Sequence, residues 1–197
     1  MKVIGLTGNM GCGKSTVAKM LALLSGVYVL DSDSIAKAIL GDLKNRRTVE
    51  KILNRTVFNN EIIQYGEVAK IIFSDKERKH KLEKFIHPLV WQKICEEINT
   101  LPLDALCIVE SAILFESGWQ DRFAKIITVT CKPEEQLRRL KNNRKMKEEE
   151  IKKRLDGQMS SSEKEKLSDF VLNTDCPLSE LELLVGELYR KLREVRI

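Results

Sequence analysis

Gly8, Gly11, Gly13, Lys14 and Ser15 are spaced to hold a polyphosphate. Gly8 followed by Gly13-Lys14-Ser15 satisfies G-x-x-x-x-G-K-[ST], the phosphate-binding P-loop pattern. Glycine lets the backbone curl with positive φ, so successive N–H groups turn inward toward phosphate oxygens. Lys14 supplies a mobile point charge, and the Ser15 hydroxyl is a ligand type suited to Mg²⁺. Cys12 and Thr16 complete the loop and the first helical turn after it.

Carboxylates recur where a parallel sheet would deliver them to such a loop. Asp31 and Asp33 follow the apolar run Val27-Tyr28-Val29-Leu30, and Glu110 closes Leu106-Cys107-Ile108-Val109. On an extended backbone Asp31 and Asp33 share a face, suited to taking a proton from an attacking hydroxyl or holding a metal through water. Asp33 or Ser34 could instead cap the helix starting at Ile35, and Glu110 could be an ordinary strand-end turn residue. Arg138, Arg139, Arg144 and Arg154 offer guanidinium groups for transferring phosphate, although any one of them alone reads as solvated surface. His87, next to Pro88, reads by itself as a helix-boundary residue.

The elements that must position these groups follow from periodicity. The stretch from Lys2 to Thr16 opens on a short buried strand through Val3-Ile4-Gly5-Leu6, and Ser15–Leu24 reads as a helix stopped at Gly26. Continuous apolar runs at 27–30, 105–110, 125–131 and 170–173 suit parallel strands covered on both faces. Residues 34 to about 100 read as helical, with pieces at 35–40, 49–53 and 68–73. A long pattern from Asp75 to Ile98 should kink or break at His87-Pro88. Arg138–Lys166 is highly charged, as a cover over a site would be. Leu178–Val195 reads as a closing amphipathic helix. Strands alternating with helices predict an α/β three-layer core around a five-stranded parallel sheet.

Composition narrows the class. The 197 residues are 43% hydrophobic and 32% charged, with a net charge of +5. Acids and bases interleave, as in Lys147-Glu148-Glu149-Glu150-Ile151-Lys152-Lys153-Arg154, which suits i,i+4 pairing better than a nucleic-acid face. No apolar run reaches the roughly 20 residues needed to span a bilayer, and the apolar residues Val3-Ile4-Gly5-Leu6 near the start do not read as a secretion signal, so none is expected. Five scattered cysteines without C-x-x-C spacing argue against a disulfide framework or zinc site, so a reducing cytoplasm is expected.

Together the motifs resemble the dephospho-CoA kinase family. The resemblance is carried by Ile4-Gly5-Leu6-Thr7-Gly8 with Gly11-Cys12-Gly13-Lys14-Ser15-Thr16, Asp31-Ser32-Asp33, Phe73-Ser74-Asp75 and His87-Pro88. It continues through Leu114-Phe115-Glu116-Ser117-Gly118, Gln136 with Arg139, Arg154 with Gln158, and Asp169 to Asn173. It implies transfer of the γ-phosphoryl of ATP to the ribose 3′-hydroxyl of dephospho-CoA, giving CoA and ADP, with Mg²⁺ as cofactor. By position, Asp33 becomes the base, Lys14 and Arg139 meet the phosphates, and Asn173 lies near adenine. Ser15 and Glu110 serve the metal; Asp31, Asp33, His87 and Glu116 serve the acceptor. The resemblance also implies a core at about 1–33, 101–137 and 168–197, a CoA-binding helical subdomain at about 34–100 and a lid at about 138–167.

The family pattern is not matched everywhere. Ala112 stands where a Pro is usual, Glu110 where an Asp is, Tyr65 near an Arg position, and Asn143 where a second lid arginine would fall, with Arg144 one residue later. A nucleoside or nucleoside-monophosphate kinase is the nearest alternative. A GTPase would need N-K-x-D, which is absent. Neither nucleic acid nor membrane is an expected partner.

Overall fold

A computed structural model describes residues 1–194, apart from the side chain of Arg144. In chain order the elements are β1 (Lys2–Thr7), α1 (Lys14–Ala22), β2 (Val27–Asp31), α2 (Ser32–Gly41), α3 (Arg46–Leu53), β3 (Phe58–Asn59), β4 (Ile62–Ile63), α4 (Tyr65–Ser74) and α5 (Lys76–Ile98). There follow β5 (Leu106–Glu110), β6 (Lys125–Thr130), α6 (Pro133–Arg144), α7 (Glu148–Leu155), α8 (Ser161–Lys166), β7 (Phe170–Asn173) and α9 (Leu178–Glu194).

The chain forms two compact units, Met1–Asp31 with Leu101 onward, and Ser32–Thr100. The first is built on the expected five-stranded parallel sheet, in the order β2-β5-β1-β6-β7. Every residue of β5 is buried, which explains why its sequence is continuously apolar up to Glu110. Helix α1 turns Val17, Ala18 and Leu21 inward, and α9 turns Leu181, Val185, Leu188 and Leu192, all into one cluster with Ile4, Leu6, Ile108 and Ile127. The expected end of the closing helix at Val195 lies outside the described residues.

In the second unit α2, α3 and α4 pack against α5. Three expectations change here. Helix α5 does not break at His87-Pro88 but continues from Lys76 to Ile98 with Pro88 inside it, because Leu82, Ile86, Val90, Ile94 and Ile98 form one buried stripe on both sides of the proline. An antiparallel hairpin, β3–β4, interrupts a stretch that reads as helical. Its turn residues Asn60 and Glu61 both have positive φ, the two-residue geometry that matches strand twist. Helix α2 begins at Ser32, so Asp33 lies in its first turn rather than on an extended segment, and the shared-face argument for Asp31 and Asp33 does not hold.

Candidate active site

The P-loop lies between β1 and α1, at the carboxyl end of the central strands, where open α/β sheets bind ligands. Gly8 has φ +144, and a Cβ there would run into the backbone oxygen of Val129 on neighbouring β6. Gly13 has φ +85 and precedes α1 without a side-chain cap, which leaves the first-turn N–H groups for a ligand. A Cβ on Gly13 would also meet Thr174 Oγ1 at 3.2 Å and Arg139 Nη1 at 3.3 Å. Loop, α6 and the end of β7 therefore meet tightly at one point.

Glu110 is the electrostatic centre of this end of the sheet. Its Oε1 accepts from Ser15 Oγ at 2.9 Å and pairs with Lys14 Nζ at 3.2 Å, with both charged side chains about nine-tenths buried. The parallel register puts Leu6 and Asp31 beside Glu110 on its two neighbouring strands. Among the described residues, Thr7 Oγ1, Asn9 Oδ1 and Ser111 Oγ are buried without a hydrogen-bond partner at the same strand ends. Orphaned oxygens beside a phosphate loop suit a ligand that brings donors or a cation. Hydroxyl and carboxylate oxygens on Ser15 and Glu110 are the hard donors Mg²⁺ takes, with water and phosphate completing its shell. No group of three or more His, Cys, Asp or Glu gathers as a metal cage among the described residues.

Arg139 is held by three partners. Nε donates to Glu135 Oε1 at 2.7 Å, Nη1 to Thr174 Oγ1 at 2.7 Å and Nη2 to the Thr174 carbonyl at 2.8 Å. Arg138 and Arg139 together hold the Glu135 carboxyl down to about 2. Thr174 Oγ1 also donates to the Cys12 carbonyl at 2.9 Å, which ties the end of β7 into the P-loop. Asn173 is exposed, and its Oδ1 accepts the Asp175 N–H at 2.7 Å. Cys12 is buried, and the neighbouring Cys131 lowers its pKa against the opposing effect of burial. Gln136 and Gln158 clamp Met10 from either side: Nε2 of Gln136 donates to its carbonyl at 2.7 Å and Oε1 of Gln158 accepts its N–H at 3.1 Å.

The structure thus brings together Gly8, Gly11, Cys12, Gly13, Lys14, Ser15, Thr16, Glu110, Asp31, Arg139 and Asn173 within the first unit. Asp33 and His87 belong to the second. Asp33 is exposed in the first turn of α2, and burial on α5 pushes the His87 imidazole below its ordinary pKa. Glu116, in the loop after β5, pairs with Lys164 and accepts the Met159 N–H at 2.8 Å. Thr174, Ser111 and Lys164 escape the sequence reading. Thr174 and Ser111 each follow an assigned strand-end residue by one position, a usable signal. Lys164 sits in a charged run that reads as surface.

The departures also have places. The Ala112 carbonyl accepts from Lys164, and the Tyr65 hydroxyl donates to the Lys37 carbonyl at 2.9 Å. Arg144 ends α6, and its side chain lies outside the description.

The family model described as dephospho-CoA kinase matches residues 2–180. The dephospho-CoA kinase of Aquifex aeolicus is 34% identical over 196 residues, covering 98% of each chain. That of Thermus thermophilus is 35% identical over 184 residues, covering 91% of this chain and 86% of the relative. Among solved structures, TT1252 from Thermus thermophilus superposes with a TM-score of 0.84 at 32% identity, covering 97% of each chain. The dephospho-CoA kinase from Campylobacter jejuni gives 0.71 at 28% identity, covering 98% of this chain and 97% of that one. A shikimate kinase from Acinetobacter baumannii shares the fold, with a TM-score of 0.55 at 16% identity. The chain belongs to the dephospho-CoA kinase family, whose activity is the phosphorylation of dephospho-CoA in coenzyme A biosynthesis.

Proposed function

We propose that catalysis divides between a donor half, built on the P-loop and Glu110, and an acceptor half served by Asp33, Asp31, His87 and Glu116. The convergence of Lys14 Nζ and Ser15 Oγ on one oxygen of Glu110 carries the donor half. Loop N–H groups and the start of α1 bind the β- and γ-phosphates of ATP, and Lys14 leaves Glu110 to follow the phosphate charge. Ser15 and Glu110 would hold Mg²⁺, which would offset charge on the transferring phosphoryl group. Arg139 is kept in place by Glu135 and Thr174 beside Gly13, ready to meet the nucleotide phosphates. Asn173 lies toward the adenine.

Asp33 takes the proton of the ribose 3′-hydroxyl as its oxygen attacks the γ-phosphorus and ADP leaves. Asp33 is an exposed carboxylate in the first turn of α2, the type of group that serves as a general base toward a hydroxyl. In the His87 imidazole, burial favours the neutral form, which can both donate and accept toward the acceptor. Five free cysteines among the described residues suit a reducing cytoplasm.

A panel of acceptors with ATP tests this reading. ADP should form with dephospho-CoA and not with nucleosides or nucleoside monophosphates. Asp33→Asn should lower kcat by about 10²-fold or more while leaving nucleotide affinity in place. An Asp33→Asn enzyme with wild-type turnover would remove Asp33 as the base.

A further inference from the structure

Lys164 has no exposed side-chain surface. A lysine fully out of water is rare and demands a partner. Here Nζ donates to the Ala112 carbonyl at 2.7 Å and pairs with Glu116 Oε1 at 3.0 Å, while burial holds its pKa below the usual lysine value. Both ends of this contact are fixed. The Lys164 backbone carbonyl accepts the Ser168 hydroxyl at 2.8 Å just before β7, and Ala112 lies two residues past Glu110. The buried ammonium thereby staples α8 to the segment that leaves β5 with Glu110 and reaches Glu116.

The contacts on Glu116 are one-sided. Lys164 Nζ and the Met159 N–H both engage Oε1, and among the described residues no hydrogen bond falls on Oε2. The side chain is 22% exposed, so a carboxylate held by protein on one oxygen is still reached by solvent. A carboxylate left to itself rotates freely. One with a buried ammonium and a backbone N–H on a single oxygen has a fixed direction.

We propose that Lys164 is a positioning residue for the acceptor: it holds Oε1 of Glu116 so that Oε2 is presented to a hydroxyl or amide donor of dephospho-CoA. This rests on the reading of Glu116 as an acceptor-side residue. Lys164 has no exposed side-chain surface to offer a substrate. It acts through the carboxylate, and the Ala112 carbonyl keeps the ammonium from swinging away.

Steady-state kinetics with both substrates varied, alongside thermal melts, test it on Lys164→Met, Glu116→Gln and the double variant. Lys164→Met should raise KM for dephospho-CoA about tenfold, as expected for loss of one hydrogen bond to a charged group, and change KM for ATP less than about twofold. Glu116→Gln should do the same. Adding Lys164→Met to Glu116→Gln should raise KM no further, because the two act as one unit. If Glu116→Gln leaves KM for dephospho-CoA unchanged, the acceptor-side reading of Glu116 fails. If Glu116→Gln raises it and Lys164→Met does not, the positioning role fails while that reading stands. A Lys164→Met enzyme whose melting point falls, and whose two KM values rise together, would make Lys164 purely structural and overturn the proposal. Should Lys164→Met not fold, Lys164→Gln, which keeps a shorter neutral donor for the Ala112 carbonyl but removes the ammonium that pairs with Glu116, takes the same measurements.

Discussion

At the residue scale, the P-loop is held in shape largely by groups outside its own motif. Thr174 is the clearest instance: one hydroxyl accepts from Arg139 and donates to the Cys12 carbonyl. Replacing Thr174 by Val keeps the shape and removes the oxygen. The Cys12 carbonyl then loses its buried donor and Arg139 keeps only its bonds to the Thr174 backbone and Glu135. Leaving a buried acceptor unsatisfied costs about 1–3 kcal/mol. Thr174→Val is therefore expected to lower the stability read by urea denaturation by that much, and to raise KM for ATP more than KM for dephospho-CoA. Equal changes in the two KM values would mean that Thr174 supports the whole unit rather than the loop. Glu110 illustrates the opposite arrangement, in which a single carboxylate oxygen orients both Lys14 and Ser15.

At the scale of elements, Pro88 tests how far packing outweighs backbone propensity. A proline inside a helix removes one hydrogen bond and crowds the preceding turn. Pro88 is exposed, so its ring contributes little burial in return. Pro88→Ala should restore the missing N–H and stabilise the chain by about 1–3 kcal/mol, measured by urea denaturation. No gain would show that α5 has already relaxed around the proline. The sequence is legible where one physical rule acts alone. Continuous apolar runs mark the five parallel strands, and the strand-end acids follow from them. It is opaque where a longer-range term decides. The stripe from Leu82 to Ile98 carries α5 through Pro88, and no local window contains all of it. The β3–β4 turn uses Asn60-Glu61 in place of the glycine-bearing pair that marks such hairpins in sequence. Lys164 looks like one more solvated lysine until Glu116 and Ala112, distant in sequence, are placed around it.

At the scale of the whole molecule, these local choices set how stability responds to acid. Burial lowers the His87 pKa, and Glu83 pulls it only partway back. The unfolded chain therefore takes up this proton at about pH 6.5, before the folded chain does. Above that pH both forms are neutral and His87 contributes no slope. As the pH falls below it, the unfolded state binds more protons, so stability declines until folded His87 is protonated as well. The Glu135 carboxyl acts in a lower window. Its folded value of about 2 means that its contribution is present above the unfolded carboxylate value and is lost as the pH falls toward 2. The two windows are separate, so urea midpoints taken between about pH 7.5 and 5 isolate the histidine. The wild-type midpoint should fall across that range, and His87→Gln should flatten the curve on its acid side only. The advantage of wild type over His87→Gln therefore shrinks as the pH drops. Parallel curves would mean that His87 keeps an ordinary pKa in the folded protein, and with it a charge at mildly acid pH that the neutral imidazole proposed for the acceptor half would not carry.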